Sequence, residues 1–153
     1  MTSLLAFAID DHTFALPLER VERAIRAVAI TPLPQSPAIV LGVIDIAGFI
    51  MPVIDLRRRC GLPERPLGLA DQLLIARSSQ RQLAMVVDAA LGVIDCAAQD
   101  FVAVDSIVPG TNYLRGIVKG PSGMILIHDL DTFLSLEESA VLDLALASIA
   151  EAP

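Results

Sequence analysis

The chain repeats itself, and the repeat limits what it can fold into. Moved forward by 74 residues, Gly42 lands on Gly116, Val43 on Ile117, Ile50 on Met124, Val53 on Ile127, Asp55 on Asp129 and Leu56 on Leu130, without a gap. The upstream segment "LLAFAIDDHTFALPLERVERAI" (4–25) meets "LLIARSSQRQLAMVVDAALGVI" (73–94) at a shift of 69. The difference between the shifts leaves five extra residues between the matched segments of the second copy. Two copies are too few for a solenoid, so a chain of 153 residues must close its core with two similar halves.

The unit is read from its most apolar part, "IVLGVIDIAGFIMPVIDLRRRCG" (39–61). Residues 38–54 carry one charge, Asp45. A membrane helix needs about 20 apolar residues. This stretch is shorter and is broken by Gly42, Asp45, Gly48 and Pro52. Ile39, Val40, Val43, Ile44, Ile46, Ile50, Val53 and Ile54 are β-branched, stiff at χ1 and suited to a pleated surface. The stretch therefore predicts a hairpin: a strand near 40–46, a tight turn at Ala47-Gly48 and a strand near 49–54. Pro52 lacks a ladder donor, which places it at an edge or a bulge. Asp55 then caps one turn of helix, Gly61 ends it in the left-handed conformation, and Arg57, Arg58 and Arg59 lie toward its negative end. In the second copy the turn is Pro121-Ser122-Gly123.

The upstream segment predicts another hairpin. Phe7 and Ile9 alternate, residues 10–13 turn, and Phe14, Leu16 and Leu18 alternate back. Val21 and Ile25, spaced i, i+4, predict a short amphipathic helix, repeated in "AALGVI" after Asp88. Sheets this small shed their edges most economically by closing, so two similar packed barrels are expected, joined through "LPERPLGLAD" (62–71). The approximate subdomains of this single 1–153 domain are 14–66 and 70–134, with the 1–13 strand exchanged between them. A C-terminal helix over 135–152 opens on a Ser135/Glu138 capping box and carries Leu142, Leu146 and Ile149 on one face. That helix either closes one barrel or binds a partner.

Several classes of function are disfavoured. The net charge is −7 and the only basic run is 57–59, which argues against nucleic acid. Cys60 and Cys96 form no CxxC pair, and no cofactor or metal site is expected. The N-terminus has no basic region before Asp10 and Asp11, so a cytoplasmic setting without membrane insertion is expected. His12 falls in a polar turn. "HDLD" (128–131) supplies too few convergent ligands, and Asp129 is the repeat partner of the helix cap Asp55. Cys60 lies beside Arg59 without a nearby His base. No phosphate loop is present, since "GPSG" (120–123) falls at a hairpin turn.

Four segments together resemble the CheW-like domain family: "FALPLERVERAI" (14–25), "ITPLPQSPAIVLGVIDIAGFIMPVIDLRRRCGLP" (30–63), "LAMVVDAALGVI" (83–94) and "YLRGIVKGPSGMILIHDLDTFLS" (113–135). The resemblance spans about 4–150. It implies a mainly β fold of two five-stranded Src-homology-3-like barrels around a shared hydrophobic core, with short helices and a C-terminal helix. It also implies a non-catalytic cytoplasmic adaptor in chemosensory signalling, contacting the cytoplasmic tip of chemoreceptors and a CheA-type histidine kinase.

The chain departs from the family pattern "RGVINLRG" with "LGVIDIAG". Leu41 stands for a common Arg or Lys, Asp45 for Asn, Ala47 for the Arg that helps engage receptors, and Arg23 for a common Glu. Charge complementarity sets partner choice more than raw affinity, so an altered partner is expected. The expected receptor and kinase groove is Val21, Arg23, Leu41, Ile44, Asp45, Ala47 and Ile50. The expected second contact is the hairpin with Leu83, Met85 and Val87, together with the turn bounded by Gly120 and Gly123. The alternative function is a stand-alone regulatory or ligand-sensing scaffold that has lost receptor coupling. A metal-dependent hydrolase is the third and weakest reading.

Overall fold

The computed structural model describes residues 2–103, 114–120 and 123–150. Eleven strands are described: β1 (Thr2–Ile9), β2 (His12–Pro17), β3 (Val21–Arg26), β4 (Val40–Ile46), β5 (Phe49–Ile54), β6 (Gln72–Arg77), β7 (Gln82–Val87), β8 (Ala89–Cys96), β9 (Phe101–Ala103), β10 (Leu114–Gly120) and β11 (Gly123–His128). Two α-helices accompany them, α1 (Leu56–Cys60) and α2 (Leu136–Ala150). The fold is mainly β, in two sheets. One is five-stranded in the order β3-β6-β7-β5-β4, and the other is six-stranded in the order β8-β1-β2-β11-β10-β9. The short β9 makes the count six where five is expected.

The repeat governs the topology to the level of single pairs. β4 and β5 map onto β10 and β11 at a shift of 74, and Gly42 opposite Val53 becomes Gly116 opposite Ile127. β1 against β8 reproduces β6 against β3: Leu4 opposite Ile94 becomes Leu73 opposite Ile25, and the bulge recurs at the same place. Each sheet is completed by one parallel contact between copies, β5 beside β7 and β11 beside β2. The hairpin β1–β2 therefore sits with β10–β11, and β6–β7 sits with β4–β5.

This reciprocal exchange divides the sheets differently from subdomains at 14–66 and 70–134. β2 belongs with the C-terminal strands, and β6 and β7 belong with β3–β5. The connection explains it: only Leu18–Arg20, one 3-10 turn, separates β2 from β3, so the chain crosses at once to the other sheet. Among the described residues no ladder joins β3 to β4 or β8 to β9, so a closing seam is not seen in either sheet. The sheets curl nonetheless. Ile25 of β3 and Ile46 of β4, from opposite ends of the strand order, pack on one interior cluster of Ile44, Met51, Val53, Leu73, Ile75 and Ala84.

The other sheet encloses the matching cluster Leu4, Ala15, Cys96, Val118, Ile125 and Ile127. Between the sheets lies a third and larger core that includes Phe7, Phe14, Leu16, Ile54, Leu74, Met85 and Phe133. Helix α2 covers it with the buried Leu142 and Ala145, while Leu146 and Ile149 pack alongside, as the i, i+4, i+7 spacing predicts. Its capping box forms: the Glu138 amide donates to Ser135 Oγ (3.0 Å) and the Ser135 amide to Glu138 Oε1 (2.9 Å). Arg59 and Arg81 fasten the helix to the body through Glu138 (2.6 Å) and Asp143 (2.7 Å).

Two short helices expected from i, i+4 spacing are strands instead. Residues 21–26 form β3 and residues 89–96 form β8; an i, i+4 pair fits period two as well as period 3.6, and in β3 a bulge beside Val21 then turns it to the shared core while Ile25 faces the interior of its own sheet. Elsewhere local chemistry sets the ends as expected. Asp55 accepts from the Arg57 amide (2.9 Å) and the Arg58 amide (3.4 Å), and Gly61 closes α1 at φ 70°. The β5–β7 ladder begins at Val53, so Pro52 has a laddered neighbour on one side only. The segment 62–71 is pinned. Arg65 grips Asp71 (2.6 Å) and Asp88 (2.6 Å), while Arg57 bonds Asp10 (2.8 Å), Asp88 (3.0 Å) and the Pro63 carbonyl (3.0 Å). These ion pairs join the two sheets across the connection.

Candidate docking surface

The β4–β5 hairpin is built to present a tip. Ala47 (φ 53°) and Gly48 (φ 88°) both adopt left-handed backbone, the two-residue turn whose twist matches paired strands. Asp45 Oδ1 accepts from the Gly48 amide at 2.9 Å and holds the turn. An Asn would accept the same bond, so Asp at this position keeps the turn and adds a negative charge. Past the turn the strand exposes Phe49 (68%) and Ile50 (53%), with Asp45 directly opposite Ile50. Ile44 and Met51, the next pair, point inward and are buried.

The structure thus brings Asp45, Ala47 and Ile50 together at one exposed tip and adds Phe49. Ile44 is a core residue (3% exposed) and is corrected as a docking contact. Leu41 packs against the interior of its sheet and lines a cavity of about 720 Å³ shared with Ile30, Val86, Arg58 and Glu64. Val21 is half-buried against the shared core, and Arg23 is exposed on β3. In the strand order β3 is separated from β4 and β5 by β6 and β7. Arg23 makes no hydrogen bond or ion pair with a described residue; its neighbour Glu22 accepts from Gln82 Nε2 (2.6 Å).

The second expected contact needs correction too. Leu83 (2%), Met85 (0%) and Val87 (0%) are consumed in the shared core, because β7 is the middle strand of its sheet. Gly120 pairs with Gly123 at the β10–β11 tip, while Pro121 and Ser122 lie outside the described residues. At that tip the reading from sequence missed Met124, exposed to 68%. The repeat points to it, since Met124 stands where Ile50 stands in the first copy. Lys119 lies opposite Met124 as Asp45 lies opposite Ile50. The matched pairs beside the two turns carry charges of opposite sign, while the exposed Phe49 of the first copy is matched by Gly123 in the second.

The remaining chemistry is structural. His128 is fully buried and packs its ring near Phe14 (4.8 Å), Phe133 (5.5 Å) and Phe7 (6.1 Å). Among the described residues no three His, Cys, Asp or Glu converge to hold a metal. Burial pushes the Cys60 thiol up to about 11, against the pull of Arg59, so a thiolate there is scarce at neutral pH. No described helix is long and apolar enough to cross a membrane.

The chain is similar to known proteins in sequence and in fold. The family model of the CheW-like domain matches residues 3–138. The chemotaxis protein CheW of Rhizobium meliloti is 26% identical over 137 residues, covering 88% of each chain. A probable chemotaxis protein CheW of Rhizobium etli is 30% identical over 139 residues, covering 89% of each. The crystal structure of the scaffolding protein TtCheW from Thermoanaerobacter tengcongensis superposes with a TM-score of 0.81 at 25% identity, over 90% of this chain and 94% of that one.

Proposed function

This chain belongs to the CheW-like domain family, and from that premise we propose that it couples a CheA-type histidine kinase to the cytoplasmic tips of chemoreceptors. As a member of that family it is a non-catalytic chemotaxis scaffold. The observation that carries the finer reading is the pair of repeat-related tips, Phe49–Ile50 with Asp45 and Met124 with Lys119. Each exposes apolar surface beside a single charge. Opposite charges beside matched apolar residues suit two different partners, because charge selects among apolar surfaces. In this reading the first tip, with Arg23 on β3, takes the receptor helix, and the second faces the kinase. The setting is cytoplasmic, at receptor arrays.

Leu41, Ala47 and Arg23 give the first half altered partner specificity, since two cations of the family pattern are absent and one acid is replaced by a cation. The test uses purified partners: a receptor signalling-tip fragment and the regulatory domain of a CheA-type kinase, titrated with the wild type, Arg23→Glu, Ile50→Ala and Met124→Ala. Ile50→Ala should weaken receptor binding about tenfold or more and leave kinase binding intact, with Met124→Ala doing the reverse. Arg23→Glu should shift preference toward receptors recognised by family members with Glu there. Binding of neither partner by the wild type would refute the coupling role, and equal losses for both partners would refute the division between tips.

A further inference from the structure

The six-stranded sheet has a cavity of about 210 Å³ at the end of its interior cluster, lined by Leu4, Pro17, Cys96, Phe101, Arg115 and Ile127, with Ala98 and Thr2 at its rim. Leu4, Cys96 and Ile127 are buried and Phe101 is half-buried, so the walls are hydrocarbon. A dry apolar cavity of about 150 Å³ already accepts benzene. The available space here therefore admits a chain of about six carbons. Of the described lining residues, Arg115, exposed on β10, carries the charge.

Arg115 stands apart from most of the chain's arginines. Arg20, Arg57, Arg58, Arg59, Arg65 and Arg81 are all ion-paired, whereas Arg115 makes no hydrogen bond or ion pair with a described residue. Asp131 is near enough to feel its charge, yet it accepts from the Ser79 amide (2.7 Å) and pairs with Arg20 (3.5 Å). The repeat sharpens the point, because the residue matching Arg115 in the other half is Leu41. The larger cavity there is walled by arginines already engaged by Asp55, Glu64 and Asp71. Among the described residues, Arg115 thus joins an apolar pocket to a guanidinium without an ion pair.

We propose that this cavity binds a short-chain monocarboxylate of about six carbons, its tail among Leu4, Phe101 and Ile127 and its carboxylate on Arg115. A guanidinium recognises a carboxylate with two parallel hydrogen bonds, and the tail supplies the burial. The net charge of −7 disfavours anions in general, so an anion without the tail should not be retained. The site lies apart from both tips and its occupancy is measured without kinase or receptor.

The test uses the full chain with hexanoate, hexanol and acetate. Two readings are taken: the thermal midpoint, and the alkylation rate of each cysteine by N-ethylmaleimide followed by mass spectrometry. Hexanoate should raise the midpoint saturably and slow Cys96 alkylation severalfold without slowing Cys60; acetate should do neither. Arg115→Gln should weaken hexanoate about tenfold while leaving the weaker hexanol effect unchanged. Ala98→Trp, which blocks the rim from an exposed position, should abolish both. Equal affinity for hexanol and hexanoate in the wild type would overturn the assignment of Arg115. Stabilisation without selective protection of Cys96, or no stabilisation at all, would overturn the site.

Discussion

Replacing Gly42 by Ala tests the packing that the repeat implies. A Cβ on Gly42 would meet the Thr31 carbonyl oxygen at 2.2 Å and its carbon at 2.8 Å. Those atoms are backbone, and they are there because residue 31 runs beside β4 in an antiparallel bridge with Val43. The Thr31 amide donates to the Val43 carbonyl (2.9 Å), and the Val43 amide donates to the Thr31 carbonyl (2.8 Å). A methyl group must push this bridged segment away. Losing the two bonds costs about 1 kcal/mol each. Displacing Ile30, whose Cγ2 would lie 2.9 Å from the new Cβ, adds about 1 kcal/mol of overpacking. The entropy that Ala removes from the unfolded chain returns at most about 1 kcal/mol. The net loss is about 2 kcal/mol.

Urea unfolding followed by far-UV circular dichroism measures it. With a slope of about 2 kcal/mol per molar for a small domain, the midpoint should fall by about 1 M with the slope unchanged. The matched residue Gly116 is the internal control. Its Cβ would strike the Phe101 ring at 2.4 Å and the Val102 carbonyl at 2.7 Å, on the three-residue edge strand β9. A ring on a short edge strand yields more readily, so Gly116→Ala should cost less, and less again in a Phe101→Ala background. A loss below about 0.5 kcal/mol at Gly42 would refute the argument that the bridged backbone beside it requires glycine there.

Other substitutions probe the turn, the cap and the charges. Ala47 sits at φ 53°, a conformation that Asn tolerates better, so Ala47→Asn should raise stability by about 0.5–1 kcal/mol and the thermal midpoint by about 1–4 °C. Ser135→Ala removes the acceptor for the Glu138 amide and should cost about 1 kcal/mol by the same urea assay. Stability should fall on acidification. The Arg65 guanidinium holds Asp71 below its ordinary 3.8, and the Ser79 amide does the same for Asp131, so the unfolded chain binds protons first. That stability is complete above the ordinary carboxylate range and is lost as pH drops through about 4 and below, which a pH series of urea midpoints checks. Arg57→Met should shift the same series toward instability at neutral pH, because Asp10 and Asp88 then face each other without their shared cation.

The hairpins are legible in the sequence because three local signals agree over 40–54: β-branched residues, a two-residue turn with glycine second, and a capping Asp. The repeat extends that legibility to register, since a matched glycine and a matched Val/Ile pair leave little room for slippage. The strands at 21–26 and 89–96 are not legible from an i, i+4 pair, which fits both periods; the separating evidence is the antiparallel partner β6 or β1, distant in sequence. The exchange of hairpins is hidden for a deeper reason. Similar halves offer similar partners, so residue pattern alone does not say which copy a hairpin joins, and the three-residue link between β2 and β3 decides it. At the proposed docking surface, the exposure of Asp45, Ala47 and Ile50 is legible because a tight turn must place its flanks outside. Leu83, Met85 and Val87 have the same apolar alternation but lie on a central strand, which no local signal reveals.

The exchange also bears on how a scaffold without catalysis can relay a signal. If each copy folded on its own, the tips at Ile50 and Met124 would sit on two bodies joined through 62–71 and would move independently. Instead each sheet contains a hairpin from both copies. Phe7, Phe14, Ile54, Leu74 and Met85 from both sheets share one core. Arg57 and Arg65 tie the β1–β2 turn, the connection and the start of β8 into the same charge network. Separating the tips therefore requires breaking two parallel strand contacts and the shared core together, a cooperative event rather than a hinge motion. In this reading the duplication supplies two partner surfaces, and the swapped hairpins keep them at a fixed geometry.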